Sequence, residues 1–415
     1  MLSSRKARDF AIYGFGQAVN LISPLLVIPH IVAVCGESGL GKAGVGFSFA
    51  LIAIVLVDAG SYINGTKEIS IFRSDITKLG QKVADIYLAK LMLLVAVLTI
   101  SVLVIYAVPF FRRDKLQLLL SLLIVAGQFL NPAWFFQGIQ NFIWISAVNV
   151  LSKIIYVVAV FMFINAPADY TYVNAFLGIG SIVAAVPGII WMRSRFKISF
   201  YSASPKNAVA LIRQEWVLSL SQLFFSLYQY APIMLISFLL GDQTAGQYRI
   251  IDQAVMIFRT YLQMFFNFIY ADVCAKIYEN ITGGLKAWRK YNYANTAFIL
   301  ILLLLVYFNT SHILLFFKVE PQDIDMMENY FRIGLLVPVV MCGSFALKQL
   351  MFATDKNRQY IIITVASTVA TFAIMALLLK TAGLKGAFIS ILLIETSIII
   401  AYTASLRKIL SSLKA

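Results

Sequence analysis

The chain has 415 residues, of which 60% are hydrophobic and only 13% are charged. Water-soluble domains carry about 25% charged residues, so the composition excludes a soluble protein and indicates a multi-pass membrane protein. The net charge of +15 does not indicate nucleic-acid binding, because the basic residues lie mostly in short connections between apolar segments. Three cysteines far apart and two histidines predict neither a disulfide framework nor a metal site, and no cofactor is expected.

Apolar segments of about 20 residues, long enough to cross a bilayer, recur along the whole chain. The first one follows a basic start, is longer than a signal-peptide core and ends without an A-x-A site, so it is predicted to be a retained span. The sequence therefore predicts an all-α integral membrane protein. The twelve predicted spans lie near 10–34, 43–64, 83–108, 116–138, 142–165, 172–192, 216–240, 246–270, 291–316, 329–351, 359–380 and 383–405.

The distribution of Lys and Arg predicts the orientation of these spans. Most of the 34 basic residues fall on the side of the N-terminus, which predicts that both termini are cytoplasmic. The longest polar interruption, 193–215, divides the spans into six and six. The predicted organisation is an N-terminal lobe over 1–192, a cytoplasmic linker over 193–215 and a C-terminal lobe over 216–415, in the manner of parallel-repeat transporters. Pro24 and Pro232 each interrupt the first span of a half.

The segment GESGLGK, residues 36–42, matches the spacing of a phosphate-binding loop. However, Ala43 stands where that motif needs Ser or Thr for magnesium, and no strand precedes the segment. The predicted topology also places it on the outer side, away from ATP. A tight turn between two helices is therefore the favoured interpretation.

Five polar side chains recur on the eighth predicted span. At about 100° per residue they fall within roughly 80° of one another on a helix. Charge in a membrane span usually faces a protein interior or a water-filled cavity and marks a pathway. The alternative is an ion pair at i,i+3 near one end of the helix, with the central arginine reaching toward water. The five residues are Arg249, Asp252, Arg259, Gln263 and Asn267.

Other charged residues also lie within predicted spans. Lys153 is central in the fifth span, whereas Lys90 and Arg332 are near enough to span ends to reach water. Asp58 and Glu395 are acidic residues within spans, where a carboxyl is a reasonable site for proton coupling. A structural hydrogen bond from a nearby hydroxyl is an equally open interpretation for Glu395. The predicted excess of cations suits an anionic substrate, and arginine suits phosphate in particular.

Several stretches of the sequence resemble the Wzx-type flippases of O-antigen and other polysaccharides, which belong to the multidrug/oligosaccharidyl-lipid/polysaccharide exporter superfamily. The resemblance follows the order and spacing of these stretches in the N-terminal half, and the twelve-span plan extends it over the whole chain. The stretches are LGKAGVGFSFALIAIVLVDAGSYINGTKEISIFRSD (40–75), NPAWFFQG (131–138), NVLSKIIYVVAVFMFI (149–164) and ADYTYV (168–173).

The resemblance implies a fold like that of the multidrug and toxic compound extrusion (MATE) transporters and a substrate of undecaprenyl-diphosphate-linked oligosaccharide, moved across the bacterial inner membrane by alternating access. Membrane lipids, a polysaccharide polymerase and other assembly proteins are the partners it implies. On this hypothesis Arg259, Arg249 and Lys153 hold the diphosphate, and Gln263 and Asn267 contact sugars. Glu395, Asp58 and Asp252 are the candidates for ion coupling.

The sequence can also be compared with what three other kinds of membrane protein would require. An ion-coupled exporter of small amphipathic drugs or metabolites would share the fold, but such exporters more often use acidic cavity residues. A membrane polymerase or ligase would need a large outer loop, and the longest one, around 318–329, is too short for a folded domain. A scaffolding protein would give no reason for charge at mid-membrane. A transporter that is not an enzyme is therefore predicted.

Overall fold

The computed structural model describes residues 4–58 and 64–411, and every regular element in these ranges is helical. The side chains of Arg5, Lys6 and Arg8, and the whole of 59–63 in the motif 40–75, lie outside the described residues. The helices are α1 (Ser4–Asp58), α2 (Thr66–Phe72), α3 (Ile76–Ala107), α4 (Pro109–Arg112), α5 (Lys115–Leu130), α6 (Ala133–Gly138), α7 (Phe142–Phe163), α8 (Tyr170–Phe196), α9 (Pro205–Tyr230), α10 (Pro232–Leu240), α11 (Asp242–Glu279), α12 (Ile281–Phe308), α13 (Thr310–Phe316), α14 (Ile324–Gly334), α15 (Leu336–Ala353), α16 (Asn357–Ser405) and α17 (Arg407–Ser411).

The helices have the length and apolar character of membrane spans. Among the described residues, eight helical stretches are long and apolar enough to cross a bilayer. A further candidate is the pair Ser219–Tyr230 and Pro232–Leu240, which is bent by 45°. Proline lacks the backbone N–H needed for the helical ladder, so Pro232 explains this bend. The prediction of a multi-pass, all-helical membrane protein is confirmed.

Among the residues that the structure describes, three glycines with positive φ interrupt the helices at points where the chain changes direction. Gly36 lies inside α1 (φ 70°, ψ 174°), Gly383 lies inside α16 (φ 58°, ψ −143°), and Gly241 precedes α11 (φ 91°, ψ 169°). These conformations are essentially restricted to glycine. At Gly383 the chain folds back on itself. The evidence is the close approach after the break: a Cβ added to Gly386 would lie only 2.1 Å from the carbonyl oxygen of Leu378. The break at Gly36 agrees with the tight turn predicted for residues 36–42.

Replacing Gly36 with alanine is expected to lower stability for a purely conformational reason. A Cβ at Gly36 would meet nothing within 4 Å, so the cost is that of the strained backbone, about 1–3 kcal/mol. Gly14 is the matched control, because it lies in the same helix, has no positive φ and also has open space around a Cβ. Gly36→Ala should melt at a lower temperature than wild type in detergent, and Gly14→Ala should not. Equal melting temperatures for the two variants would contradict the argument.

The helices group into two compact units, residues 1–234 and 235–415. In the first unit α5, α7 and α8 approach closely through small side chains. The Ser152 and Ser181 hydroxyls are 3.1 Å apart, and a Cβ on Gly178 would lie 2.5 Å from Leu123. α9 packs against α1 and α3 within this unit.

The aromatic motif NPAWFFQG forms part of the core of the first unit. The sequence of this motif predicts a kink at Pro132 and an interfacial aromatic belt formed by Trp134, Phe135 and Phe136. Pro132 does separate α5 from α6, but the predicted belt is wrong. The three side chains are at most 2% exposed and pack in one cluster with Tyr87. The short helix α6 turns them inward, where aromatic rings pack edge to face.

At the end of the first unit that the sequence predicts to be external, one carboxylate links three helices. Asp114 precedes α5 and accepts a hydrogen bond from Tyr170 on α8 at 3.0 Å. It also pairs with Lys42 on α1 at 3.2 Å and with Arg113 at 2.9 Å. Lys42, the lysine of the GESGLGK motif, is therefore engaged in a structural ion pair.

The charge of Asp114 makes the stability of the first unit dependent on pH. Burial alone would raise the pKa of Asp114, but Arg113, Lys42 and Tyr170 outweigh it and hold the pKa below its ordinary value of 3.8. A carboxyl whose folded pKa is depressed stabilises above its unfolded pKa and loses that contribution as the pH falls through the folded pKa. Asp114→Asn should therefore lower the melting temperature at pH 7, and the difference from wild type should shrink below about pH 4. Asp325→Asn, at an exposed position, is the control and should show no such pH-dependent difference.

In the second unit, α11, α12, α15 and α16 surround a core near the end predicted to be cytoplasmic. The Trp288 indole donates a hydrogen bond to the Ala346 carbonyl oxygen at 3.0 Å, which fastens α12 to α15. One turn from Phe352, the Lys348 ammonium lies over the rings of both Phe266 and Tyr360, at 5.7 and 5.5 Å from the centroids. These cation–π contacts hold a charged group against an otherwise apolar core.

Candidate substrate and coupling sites

The polar stripe predicted on the eighth span lies on α11, which is a single unbroken helix of 38 residues. Gly241 ends the preceding segment, and Asp242 then lies in the first turn of α11, where a negative charge stabilises the helix N-terminus. The helix contains no proline and ends at Asn280, whose side chain caps α12 through the Gly283 amide. The five polar positions from Arg249 to Asn267 therefore share one continuous helical face.

The end of the stripe nearer to Gly241 is an ion pair. Arg249 Nη1 lies 3.4 Å from Asp252 Oδ2, and both side chains are mostly buried. This is the i,i+3 pair that the sequence left open as an alternative. Arg249 and Asp252 also lie close enough to the buried hydroxyl of Tyr248 to act on it electrostatically, as does Arg259.

Further along the stripe the side chains are more accessible. Arg259 is half-buried, and Gln263 and Asn267 are joined by a hydrogen bond of 3.1 Å between their amide groups. Asn267 is exposed. The structure thus places all five residues on α11 but joins them as two separate pairs with Arg259 between. Their roles toward a substrate stay predictions.

Glu395 is brought close to the level of this stripe by the packing of α16 on α11. The ring of Phe388 stacks on Tyr248 with 5.4 Å between centroids, so the two helix faces that carry these rings meet. Further along, Tyr402 of α16 packs in one cluster with Ile269 and Val273 of α11, so the two helices run in the same direction. Glu395 lies seven residues beyond Phe388, on the same face and about 10 Å further along. That places Glu395 between the levels of Asp252 and Arg259, and it is only 4% exposed.

In the first unit, a buried ion pair joins two predicted spans. Lys90 Nζ on α3 lies 2.9 Å from Asp58 Oδ1 at the end of α1, and the Lys90 side chain is 1% exposed. Gln128 on α5 donates a hydrogen bond of 3.0 Å to the other oxygen of Asp58. The expectation that Lys90 reaches water at a span end is therefore wrong. Asp58 is near enough to pair with it, and pairing removes the cost of a buried charge without a partner.

Lys153 differs from Lys90. It is half-buried on α7, and its ammonium lies 5.9 Å from the centroid of the Tyr156 ring one turn away. Among the residues that the structure describes, no carboxylate lies within 4 Å of this ammonium. Lys153 is thus a cation in a membrane span that the described part of the protein does not neutralise, as a site for an anion requires.

Asp85 is an important residue that the sequence reasoning overlooked, although it falls inside the third predicted span. It is 2% exposed, and its carboxylate accepts hydrogen bonds from the Ser204 amide at 2.7 Å and from the Asn207 side chain at 2.9 Å. Gln81 adds a third at 3.0 Å. Asp85 therefore binds the N-terminus of α9, where a carboxylate satisfies free amides and the helix dipole. Three hydrogen bonds explain how a carboxylate can be buried here.

The sequence predicts an excess of positive charge within the spans, but the structure pairs several of these cations with carboxylates. Lys90 and Arg249 are paired with Asp58 and Asp252, and Arg332 pairs with Glu328. Among the described residues, no group of three or more His, Cys, Asp or Glu side chains could hold a metal ion.

The family of polysaccharide biosynthesis proteins matches residues 7–273. The chain belongs to this family. Two curated relatives are each provisionally named an O-antigen transporter. The one from Escherichia coli K12 is 21% identical over 292 residues, which cover 69% of this chain and 70% of the relative. The one from Shigella dysenteriae is 19% identical over 242 residues, which cover 58% of this chain and 60% of the relative. The resemblance seen in the sequence motifs is confirmed.

Solved structures show the fold that this polysaccharide biosynthesis protein shares. An inward-facing multidrug resistance transporter of the MATE family superposes with a TM-score of 0.75 at 16% identity, covering 94% of this chain and 95% of that one. The inward closed form of the lipid II flippase MurJ gives 0.73 at 12% identity, covering 98% and 90%. The predicted MATE-like fold is confirmed. The relatives and structural neighbours are transporters and flippases, as expected for a chain predicted not to be an enzyme.

The Asp58–Lys90 pair can be tested by a double substitution. Removing one partner of a buried ion pair costs about 3–5 kcal/mol, whereas replacing both is often nearly neutral. Lys90→Met should therefore lower the melting temperature strongly, and Asp58→Asn together with Lys90→Met should recover most of the loss. Lys78→Met is the matched control, because the Lys78–Asp75 pair is 68% and 44% exposed and is worth about 1 kcal/mol or less. A double variant as unstable as Lys90→Met would show that the pair is not the cause.

Proposed function

We propose that this protein is a flippase that moves an undecaprenyl-diphosphate-linked oligosaccharide, an O-antigen or related repeat unit, across the bacterial inner membrane by alternating access. The observation that carries the proposal is the family match over residues 7–273, with relatives provisionally named O-antigen transporters. The likeness in fold to a lipid II flippase agrees with a lipid-linked saccharide as the cargo.

The proposal includes the topology predicted from the sequence. α1 and α16 each contain a glycine break and can supply two spans apiece. The bent pair 219–240 supplies one more. α11 carries too much charge to be recognised by hydropathy alone, yet it is longer than a bilayer is thick. With these additions the chain has twelve spans, which we assign to two lobes of six with both termini in the cytoplasm.

Lys153 of the first unit and Arg259 of the second unit are both proposed to bind the diphosphate. Both are half-buried cations in membrane spans, and charge-assisted hydrogen bonds to phosphate oxygens are about twice as strong as neutral ones. We assign Arg249 a supporting role, because Asp252 already neutralises most of its charge. Gln263 and Asn267 are proposed to contact sugars, since their amides are accessible and can exchange their mutual hydrogen bond for one to a hydroxyl.

Ion coupling is assigned to Glu395, with Asp58 and Asp252 as further candidates. Glu395 lies between the levels of Asp252 and Arg259, so its protonation would change the field at the proposed diphosphate contact. A buried carboxyl that gains a proton loses its attraction for a neighbouring cation. Protonation would thereby free Arg259 for an anionic substrate.

The proposal is tested by complementation of a bacterial strain that lacks its O-antigen flippase. Wild-type protein should restore surface polysaccharide, and Arg259→Ala or Lys153→Ala should reduce it about tenfold or more, the loss expected for one charged hydrogen bond of about 1.5–3 kcal/mol. Arg112→Ala, an exposed arginine outside the spans, is the control. If both variants restored wild-type polysaccharide at normal protein abundance, the assignment of these two residues would be wrong.

An ion-coupled exporter of small amphipathic compounds is the second candidate function, because the fold also matches a multidrug resistance transporter with a TM-score of 0.75. The two candidates are separated by expressing the protein in a drug-sensitive strain that lacks its own exporters. Raised resistance to cationic dyes without any effect on surface polysaccharide would favour the exporter.

A further inference from the structure

A small cavity in the first unit is lined by groups that neither the family match nor the proposed diphosphate contacts use. It has a volume of about 80 Å³ and lies among residues 64 and 65 just before α2, the helix α2 itself, one face of α3 and the first half of α9. Its polar lining comes from Asn64, Lys67, Glu68, Gln214 and Glu215. A water molecule needs about 10–15 Å³ of such space, so the cavity has room for a small, partly hydrated ion.

Glu215 is the group that gives this cavity its chemistry. Its side chain is only 6% exposed. One carboxylate oxygen, Oε1, accepts a hydrogen bond from the Asn64 amide. The other, Oε2, is buried and has no hydrogen-bond partner among the residues that the structure describes. A buried carboxylate oxygen without a donor is costly, so such a group is neutralised by a proton or by a cation.

The surrounding charges leave Glu215 unneutralised. Glu68, the other carboxylate of the lining, is paired with Lys82 at 2.8 Å. Lys90, on the adjacent face of α3, is paired with Asp58. Lys67 and Arg213 are exposed, and water screens the charge of exposed groups. Within the described residues, no ammonium or guanidinium group lies within 4 Å of the Glu215 carboxylate.

We infer that this cavity, the Glu215 pocket, binds a monovalent cation, either a proton on the carboxylate or a sodium ion beside it. Hard monovalent cations prefer oxygen ligands, and Glu215 Oε2 offers a charged one next to the neutral amides of Asn64 and Gln214. The lining lacks the second free carboxylate that a divalent ion would require. Only one consequence rests on the proposed flippase function: the ion bound here would be a coupling ion in addition to the one assigned to Glu395.

Cation binding in the Glu215 pocket would also change the contact between the start of α2 and α9. Asn64 lies just before α2 and Glu215 belongs to α9, so their hydrogen bond joins the start of α2 to α9, 151 positions apart in the sequence. A cation that neutralises Glu215 would favour the arrangement in which these elements are closed on each other. Release of the cation would leave a buried negative charge and favour their separation.

The inference is tested on the purified full-length protein in detergent, without any lipid-linked substrate. Sodium binding is measured with sodium-22 in a scintillation proximity assay, with unlabelled sodium and potassium as competitors. Proton binding is measured in sodium-free buffer as the pH dependence of the intrinsic tryptophan fluorescence, since Trp216 follows Glu215 directly. The variants are Glu215→Gln, Asn64→Ala and the control Glu279→Gln, which removes an exposed carboxylate at the end of α11.

If sodium is the ligand, Glu215→Gln should reduce sodium-22 binding at least tenfold, and Glu279→Gln should bind as wild type. If the proton is the ligand, sodium should not bind, and the pH-dependent fluorescence change should vanish in Glu215→Gln alone. Asn64→Ala should weaken the same response, which keeps the test decisive if Glu215→Gln does not fold. A wild-type protein with neither response, or a Glu215→Gln variant with an unchanged one, overturns the inference. Failure of the wild-type protein to restore surface polysaccharide would instead overturn the proposed function, whatever the ion binding shows.

Discussion

The cost of placing charge inside a membrane is the constraint on which the rest of this structure depends. In the first unit the constraint is met by the Asp58–Lys90 pair, in which an ammonium group 1% exposed lies 2.9 Å from its carboxylate. The pair connects the end of α1 to α3, and Gln128 extends the connection to α5. One neutralised charge thus fixes three helices at one level. The same rule makes the exceptions informative: Lys153 on α7 and the Glu215 pocket keep charges that the described part of the chain does not cancel, and a ligand of opposite charge would lower the free energy there.

Much of the fold could be predicted because membrane spans follow simple physics. Runs of apolar residues gave the helices, and Gly36 and Pro232 marked a turn and a bend that the structure contains. The site was less accessible to prediction. The hydrogen bonds of Asp85 with Ser204 and Asn207 join residues about 120 positions apart, and no local pattern encodes such a contact. Trp134 and its neighbours were expected at the membrane surface because the sequence alone does not show which way the short helix α6 turns.

The polar stripe on α11 shows how one pattern can serve two purposes. Helical periodicity correctly placed the five residues on one face, yet the structure divides them into an ion pair near Tyr248 and an amide pair further along, with Arg259 between. The stack of Phe388 on Tyr248 sets the level of Glu395 relative to this face. The aromatic contact therefore sets the register between α11 and α16. Such contacts depend on the folded chain and are not encoded in the local pattern of either helix.

The anchoring of α9 by Asp85 has a practical consequence for engineering this protein. The polar stretch 197–204 would ordinarily be chosen for inserting a tag, cutting the chain or permuting its termini, because loops that join helical groups usually tolerate such changes. Here Ile198 is 2% exposed within the aromatic core, and the carbonyl oxygen of Ser202 accepts a hydrogen bond of 2.7 Å from Gln81. The stretch is therefore held in place by packing and hydrogen bonding and is not a flexible linker. Fusion partners are better carried by the exposed turn around Gln322, whose side chain donates a hydrogen bond to the nearby Glu320.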